Sequence, residues 1–228
     1  RLGTLVASPN FRHPVPFARE LLTLDNLSGG RLTVGLGAGG SGWDASVLGH
    51  AEWSPRERAD RFEEFVGLLD RLLREPVVTA TGEHYRADGA RNHAGCVQQP
   101  RVPFAVAATG PRGMRLAAAL ADTWVTNGDR AHDGPPLAAA DGAAVVARQV
   151  RRLEEACAEV GRDPASLAKL VLTGPRLASG LESPAEFAET ATRYEDVGIT
   201  DLVVHWPRAD EPYAGDEAWL EWVGRPRG

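Results

Sequence analysis

Long apolar runs, basic stretches and cysteine pairs are all missing from this chain, and each absence removes a class of function. No apolar run approaches the roughly 18 residues that a membrane span needs, and no secretory leader pattern opens the chain. Lys and Arg total 25 against 31 Asp and Glu, a net charge of -6. Without a basic stripe, nucleic acid and anionic membranes are not expected as partners. Two cysteines, Cys96 and Cys157, make no disulfide framework, so a reducing cytoplasm is the expected location. His84, His93 and Cys96 fit no structural zinc spacing and have no fourth ligand near them, so no metal is expected. There is no Gly-x-Ser-x-Gly elbow and no Walker loop. Methionine is nearly absent, Met114 being the only one. The chain opens on Arg1 and runs at once into an apolar strand, so folded sequence upstream of Arg1 is expected.

What is present reads as an α/β protein. The 228 residues are 43% hydrophobic and 25% charged, an ordinary globular balance. Leu2 to Ala7 is strand-like by length and content. A helix starts at Pro14, with Val15, Ala18, Leu21, Leu22 and Leu24 on one face, and Ser28-Gly29-Gly30 stops it. Arg31 to Leu36 is the next strand. Ser54, Pro55 and Glu57 form a capping box, opening a helix with Phe62, Phe65, Leu69, Leu72 and Leu73 inward. Val77 to Arg86 reads as a small hairpin broken at Thr81-Gly82. Phe104 to Ala108 is a strand, Pro111 to Leu120 a helix, and Thr123 to Thr126 a strand. A long helix follows from about Ala138 to Val160, then a strand at Leu170 to Thr173. Ser183 caps another helix, with Phe187, Ala191 and Tyr194 inward, and Asp201 to Trp206 is the last strand. The tail from Arg208 is polar, with two late tryptophans.

Strict alternation of apolar strands and helices predicts a parallel sheet covered by helices. Six such strands are counted, against the eight of a (β/α)₈ barrel. Two further βα units of about 30 residues each would complete one. No repeat or low-complexity linker divides residues 1–228, so a single domain is expected.

Several motifs sit at strand ends, which form the active-site face of such a barrel. Gly35-x-Gly37-x-x-Gly40 matches the dinucleotide fingerprint as a bare pattern. No helix is expected to open at Gly40, since Ser41-Gly42-Trp43-Asp44 continues the loop, so a Rossmann NAD site is the weaker reading. The stronger is a glycine-lined strand end that a flat ring can approach closely. Thr109-Gly110-Pro111 precedes a helix. Its backbone N–H groups suit a phosphate, and equally Thr109 is a good helix cap; both readings stay open. Thr126 and Asn127 are candidate donors to the same anion. Arg12 and His13 either line the top or start the following helix, the latter favoured. Asp25 and Arg31 flank a bottom corner where a structural ion pair is expected. Trp43, Trp53, Trp124 and Trp206 are placed near one rim, able to wall a flat aromatic ligand.

In order and spacing, these segments resemble the bacterial luciferase-like family, which includes coenzyme F420-dependent reductases and FMN-dependent monooxygenases. The resemblance rests on Gly3-Thr-Leu-Val-Ala-Ser-Pro9, Arg12-His-Pro14, Thr23-Leu-Asp-Asn-Leu-Ser-Gly-Gly-Arg31 and Gly35-Leu-Gly-Ala-Gly39. Arg61-Phe-Glu-Glu64, Gly82-Glu-His-Tyr85, Ala107-Ala-Thr-Gly-Pro111 and Ala121-Asp-Thr-Trp-Val-Thr126 continue it. It implies a (β/α)₈ barrel of the luciferase-like type, here with its first two βα units absent, usually a homodimer. It implies an oxidoreductase using coenzyme F420 or reduced FMN for hydride transfer or monooxygenation of a small organic substrate, with F420 slightly preferred. Cofactor-binding positions would be Ala7, Ser8, Gly37, Gly39, Ala108, Thr109, Gly110, Val125 and Thr126, with a cis-peptide bulge behind the ring at Ala7-Ser8. Some F420 enzymes carry Glu where this chain has Gly40. Residues acting on substrate in the family often lie on the first two strands, so no catalytic residue is assigned. A non-catalytic, shortened flavin-binding protein is the alternative from another class.

Overall fold

The computed structural model describes residues 1–40, 43–208 and 216–219, with the side chains of Trp43 and Glu217 left aside. Ser41-Gly42 and most of the polar tail, including Trp222, lie outside the described residues. The chain falls into two compact units, Arg1–Trp124 and Val125–Gly228.

The first unit runs β1 (Leu2–Ala7), α1 (Pro14–Ser28), β2 (Leu32–Gly37), α2 (Trp43–Ser46) and α3 (Pro55–Arg74). It continues through β3 (Val77–Thr81), β4 (Arg86–Arg91), β5 (Phe104–Ala107) and α4 (Pro111–Leu120), and the boundary between the units falls within β6 (Thr123–Thr126). β1 pairs in parallel with β2, Leu2 opposite Leu32 and Ala7 opposite Leu36. β2 pairs in parallel with β5, Val34 opposite Phe104 and Gly37 opposite Ala107. All three strands therefore end at the same edge. Val34 and Leu36 are fully buried, as an interior parallel strand requires. Phe17 of α1 meets Phe65 of α3 with ring centroids 6.1 Å apart. Fully burying a ring of that size stabilises by about 1.5–3 kcal/mol, and α3 buries seven apolar side chains along one stripe, including the five expected.

The second unit holds α5 (Ala139–Glu159), β7 (Ala168–Leu172), α6 (Pro184–Asp196) and β8 (Asp201–Val203). β7 and β8 pair in parallel, Leu170 opposite Asp201 and Leu172 opposite Val203. Both Ser–Pro helix starts occur as the sequence implies. Ser54 and Glu57 make a reciprocal capping box, and the Ser183 hydroxyl accepts from the Glu186 N–H at 3.2 Å.

Five expectations are corrected. The bulge in β1 lies at Leu5–Val6, joined by a cis peptide, not at Ala7-Ser8. Three residue steps from Thr4 to Ala7 there oppose two from Val34 to Leu36, so β1 carries one extra residue. On α1, Phe17 faces the core while Leu24 is exposed, because the buried stripe follows Pro14, Phe17, Ala18, Leu21 and Asp25. Asp25 makes no ion pair with Arg31: the buried carboxylate accepts from the Gln98 backbone N–H and side-chain amide at 3.1 and 2.8 Å, and Arg31 turns to the Ser28 carbonyl. The hairpin extends to Arg91 around a four-residue loop, 82–85, in place of a tight turn at Thr81-Gly82. Finally, a one-turn helix opens at Trp43, where loop was expected; Asp44 closes it back onto the Gly40 N–H at 2.7 Å.

Candidate active site at the strand ends

Within the first unit, the parallel register brings Ala7 and Ser8, Gly37 and Gly39, and Ala108 to Gly110 to one end of the sheet. They are thus neighbours although about 100 residues separate the first from the last. Two glycines make the close approach possible. A Cβ on Gly37 would stand 2.6 Å from Val6 Cγ2, because the bulge turns Val6 over it. Gly39 has a positive φ of 83°, and a Cβ there would lie 2.5 Å from both Ser8 Oγ and Asn10 Nδ2. Ser8 closes the turn after β1 by accepting from the Asn10 N–H at 3.1 Å.

The helix that follows β5 settles a question the sequence leaves open. The N-cap of α4 is Gly110, not Thr109, and no side chain caps it. Pro111 has no N–H, so the first-turn donors belong to Arg112 and Gly113. A Cβ at Gly110 would meet nothing within 4 Å. An uncapped helix start beside open space carries partial positive charge and oriented N–H groups. Arg112, the nearest cation in sequence, is held by Asp60 at 2.7 Å and by Glu63. Those two carboxylates raise its pKa further.

Behind the edge, the Trp124 indole is fully buried and donates from Nε1 to the Ala108 carbonyl at 2.7 Å. That bond fixes the end of β5. Trp124 is therefore core, not a wall for a ligand. Trp53 is half-buried beneath the Arg61 guanidinium, 4.3 Å from its ring centroid, and Trp206 is exposed. His13 is the N-cap of α1, its Nδ1 accepting from the Val15 N–H at 3.2 Å, and Arg12 packs over Phe17. Both serve the helix start, as favoured. Glu64 gathers the loop 82–85 by accepting from the N–H groups of Glu83, His84 and Tyr85. The Tyr85 phenol is buried, which pushes its pKa up against the opposing pull of Arg61.

In the second unit, the Thr126 hydroxyl donates to Gln149 Oε1 at 2.6 Å and accepts from the Gly128 N–H at 3.1 Å. Gln149 Nε2 in turn donates to the Gly128 carbonyl at 3.0 Å. The hydroxyl proton of Thr126 is therefore engaged internally; as a donor to an anion only its backbone N–H is left to consider. Val125, like Thr126, is buried. Among the described residues, no group of three or more His, Cys, Asp or Glu side chains is arranged to hold a metal, and no helix is long and apolar enough to cross a membrane.

Sequence reasoning passed over three residues: Asn10, Arg61 and Gln149. Arg61 lies inside the quoted Arg61-Phe-Glu-Glu64 motif, and its spacing carried no hint of where the side chain reaches. Gln149 had a readable signal, a polar residue in the apolar phase of α5.

The model of the luciferase-like monooxygenase family matches residues 1–194. The chain belongs to that family. An F420-dependent glucose-6-phosphate dehydrogenase of Nakamurella multipartita is 30% identical over 231 residues, covering 92% of this chain. The chain spans 65% of that relative's length. A 4-hydroxyprotoasukamycin monooxygenase of Streptomyces nodosus subsp. asukaensis is 38% identical over 120 residues, 51% of this chain and 31% of the relative. Among solved structures, a coenzyme F420-dependent tetrahydromethanopterin reductase from Methanopyrus kandleri superposes with a TM-score of 0.73 at 17% identity, covering 99% of this chain and 81% of its own. That likeness shows the fold, and the expected luciferase-like β/α barrel class stands.

Proposed function

We propose that the chain is the cofactor-holding part of an oxidoreductase that uses coenzyme F420, or reduced FMN, on a small organic substrate. The observation that carries this reading is the uncapped start of α4, with the glycine-lined end of β2 at the same edge of the sheet. Both cofactors join a flat ring to a phosphate, and this edge offers a surface for each. Gly37 and Gly39 let a ring approach the backbone, while the N–H groups of Arg112 and Gly113, with Thr109 and Gly110 beside them, suit the phosphate. Ala7, Ser8 and Ala108 complete the edge, and Val125 and Thr126 are carried over from the family resemblance.

A bound F420 or flavin supplies the hydride or, for a flavin, the activation of dioxygen. The residues described here bind and orient. Trp124 holds the Ala108 carbonyl, and Ser8 holds the turn after β1. No described side chain at this edge is assigned to move a proton. F420 is preferred because a relative that matches 92% of the chain is F420-dependent; the similarity to a monooxygenase supports FMN as the rival. We further place the protein in the cytoplasm as a homodimer. The free thiols of Cys96 and Cys157 suit a reducing compartment, and exposed Leu2, Leu24 and Leu27 supply apolar surface for a second copy.

Fluorescence titration of the protein with F420 and with FMN tests the reading. Saturable binding of one is expected, F420 the tighter. Binding of neither refutes it. A second reading, a luciferase-like flavin binder without catalysis, is favoured by one observation: Ala7, Ser8, Gly37, Gly39 and Ala108 to Gly110 include no ionisable side chain. Cofactor binding without turnover of any alcohol, aldehyde or aromatic substrate would support it. An NAD enzyme is disfavoured, because the helix after Gly35-x-Gly37-x-x-Gly40 is only four residues long.

A further inference from the structure

Arg61 lies on α3, away from the strands, yet it reaches the turn that follows β1. Its Nη1 donates to Asn10 Oδ1 and its Nη2 to the Pro9 carbonyl, each at 3.3 Å. The guanidinium lies over the Trp53 ring. Asn10 can present its amide in only one sense while Oδ1 accepts from Arg61. Its Nδ2 then lies against Gly39, buried and without a hydrogen-bond partner among the described residues. Ser8 Oγ stands equally close to the point that a Gly39 Cβ would occupy. A buried amide end left unpaired is costly, so its placement is imposed by the bonds around it.

We propose that Arg61 is a positioning residue. Through Asn10 and Pro9 it fixes the meeting of the β1 and β2 ends, and so the shape of the edge that receives the cofactor ring. The proposal rests on the cofactor reading above. It also explains why arginine stands here. Two acceptors lie in different directions and a flat aromatic face lies beneath, which a planar fork satisfies and an ammonium does not.

The test uses the full chain and three variants, R61K, N10S and the two combined, with R71K as control. Arg71 pairs with Glu75 on the exposed side of the same helix and touches nothing at the edge. Affinities for F420 and FMN are measured by titration, the absorption band of the bound ring is recorded, and thermal melting is followed alongside. Losing both bonds to the turn is expected to weaken ring binding about tenfold in R61K. The bound-ring band should shift, and melting should fall by less than about 4 °C. N10S, which leaves the Pro9 contact, should weaken binding less, and the double variant should be no weaker than R61K alone. Unchanged affinity and band in R61K overturn the proposal while leaving the cofactor reading intact. So does a loss of affinity that merely tracks lost stability with an unshifted band, since that is a structural role. If R61K fails to fold, N10S decides by the same two readouts. Wild-type protein that binds neither cofactor overturns both.

Discussion

The Tyr194 hydroxyl is the clearest internal conflict in the molecule, and removing it should stabilise the protein. Tyr194 on α6 is 1% exposed. Its hydroxyl has no hydrogen-bond partner among the described residues. It points at α5, where a Cβ added to Gly142 would stand 2.6 Å from it. A buried, unpaired hydroxyl costs about 1–3 kcal/mol, so Tyr194→Phe should gain about 1 kcal/mol at pH 7 after the small loss of contact. The second signature is in pH. Burial pushes the phenol up to about 12 from its ordinary value of 10.0. The folded state therefore keeps a proton that the unfolded state gives up above pH 10, and stability is present below that pH and lost as pH rises toward 12. The loss is about 1.4 kcal/mol by pH 11 and about 2.7 kcal/mol once both states are deprotonated. Urea unfolding of wild type and Tyr194→Phe between pH 7 and 11 reads both effects, and the difference between the two proteins isolates this phenol from Tyr85. The glycine supplies an internal check. Gly142→Ala alone should destabilise by about 1–3 kcal/mol through overpacking. In the Tyr194→Phe background the clashing oxygen is gone, and the same change should recover most of that loss, helped by about 1 kcal/mol of helix propensity. A Tyr194→Phe protein that is less stable at pH 7, or that loses stability above pH 10 as wild type does, would refute the reasoning.

Two further substitutions probe the supports of the candidate site. Arg101 is nearly buried; it pairs with Asp70 at 2.6 Å and Asp122 at 2.9 Å and donates to the Leu120 carbonyl, so Arg101→Ala should cost about 3–5 kcal/mol in denaturant unfolding. A cost under about 1 kcal/mol would show that this network is no more than a surface pair. Gln149→Leu leaves Thr126 Oγ1 and the Gly128 carbonyl without their partner and should cost about 2 kcal/mol.

How much of this was readable from the chain differs by element. Helix ends were legible because their signals are local: Ser54-Pro55 and Ser183-Pro184 open α3 and α6, and Gly29 closes α1 in the left-handed conformation. The α3 stripe was legible because five apolar residues repeat at helical spacing. The α1 stripe was misphased, since Leu24 is apolar and exposed while Asp25 is charged and buried against Gln98, a partner 73 residues away. The bulge was misplaced by about two residues because nothing local to Thr4-Leu-Val-Ala7 marks which position is extra. Only the pairing with β2 decides that.

The sequence by itself determined the alternation of strands and helices, the family, and the set of glycine and threonine positions at strand ends, because periodicity, caps and motif order are properties of neighbouring residues. Tertiary structure alone decided what those positions do. It gave α4 a glycine cap and open donors, put Trp124 in the core behind Ala108, bound the Thr126 hydroxyl to Gln149, and brought Arg61 from α3 onto the turn after β1. Each of those contacts joins residues at least 16 apart or depends on where a neighbouring element comes to rest. A hydrogen bond depends on distances of a few tenths of an ångström, and only packing sets those.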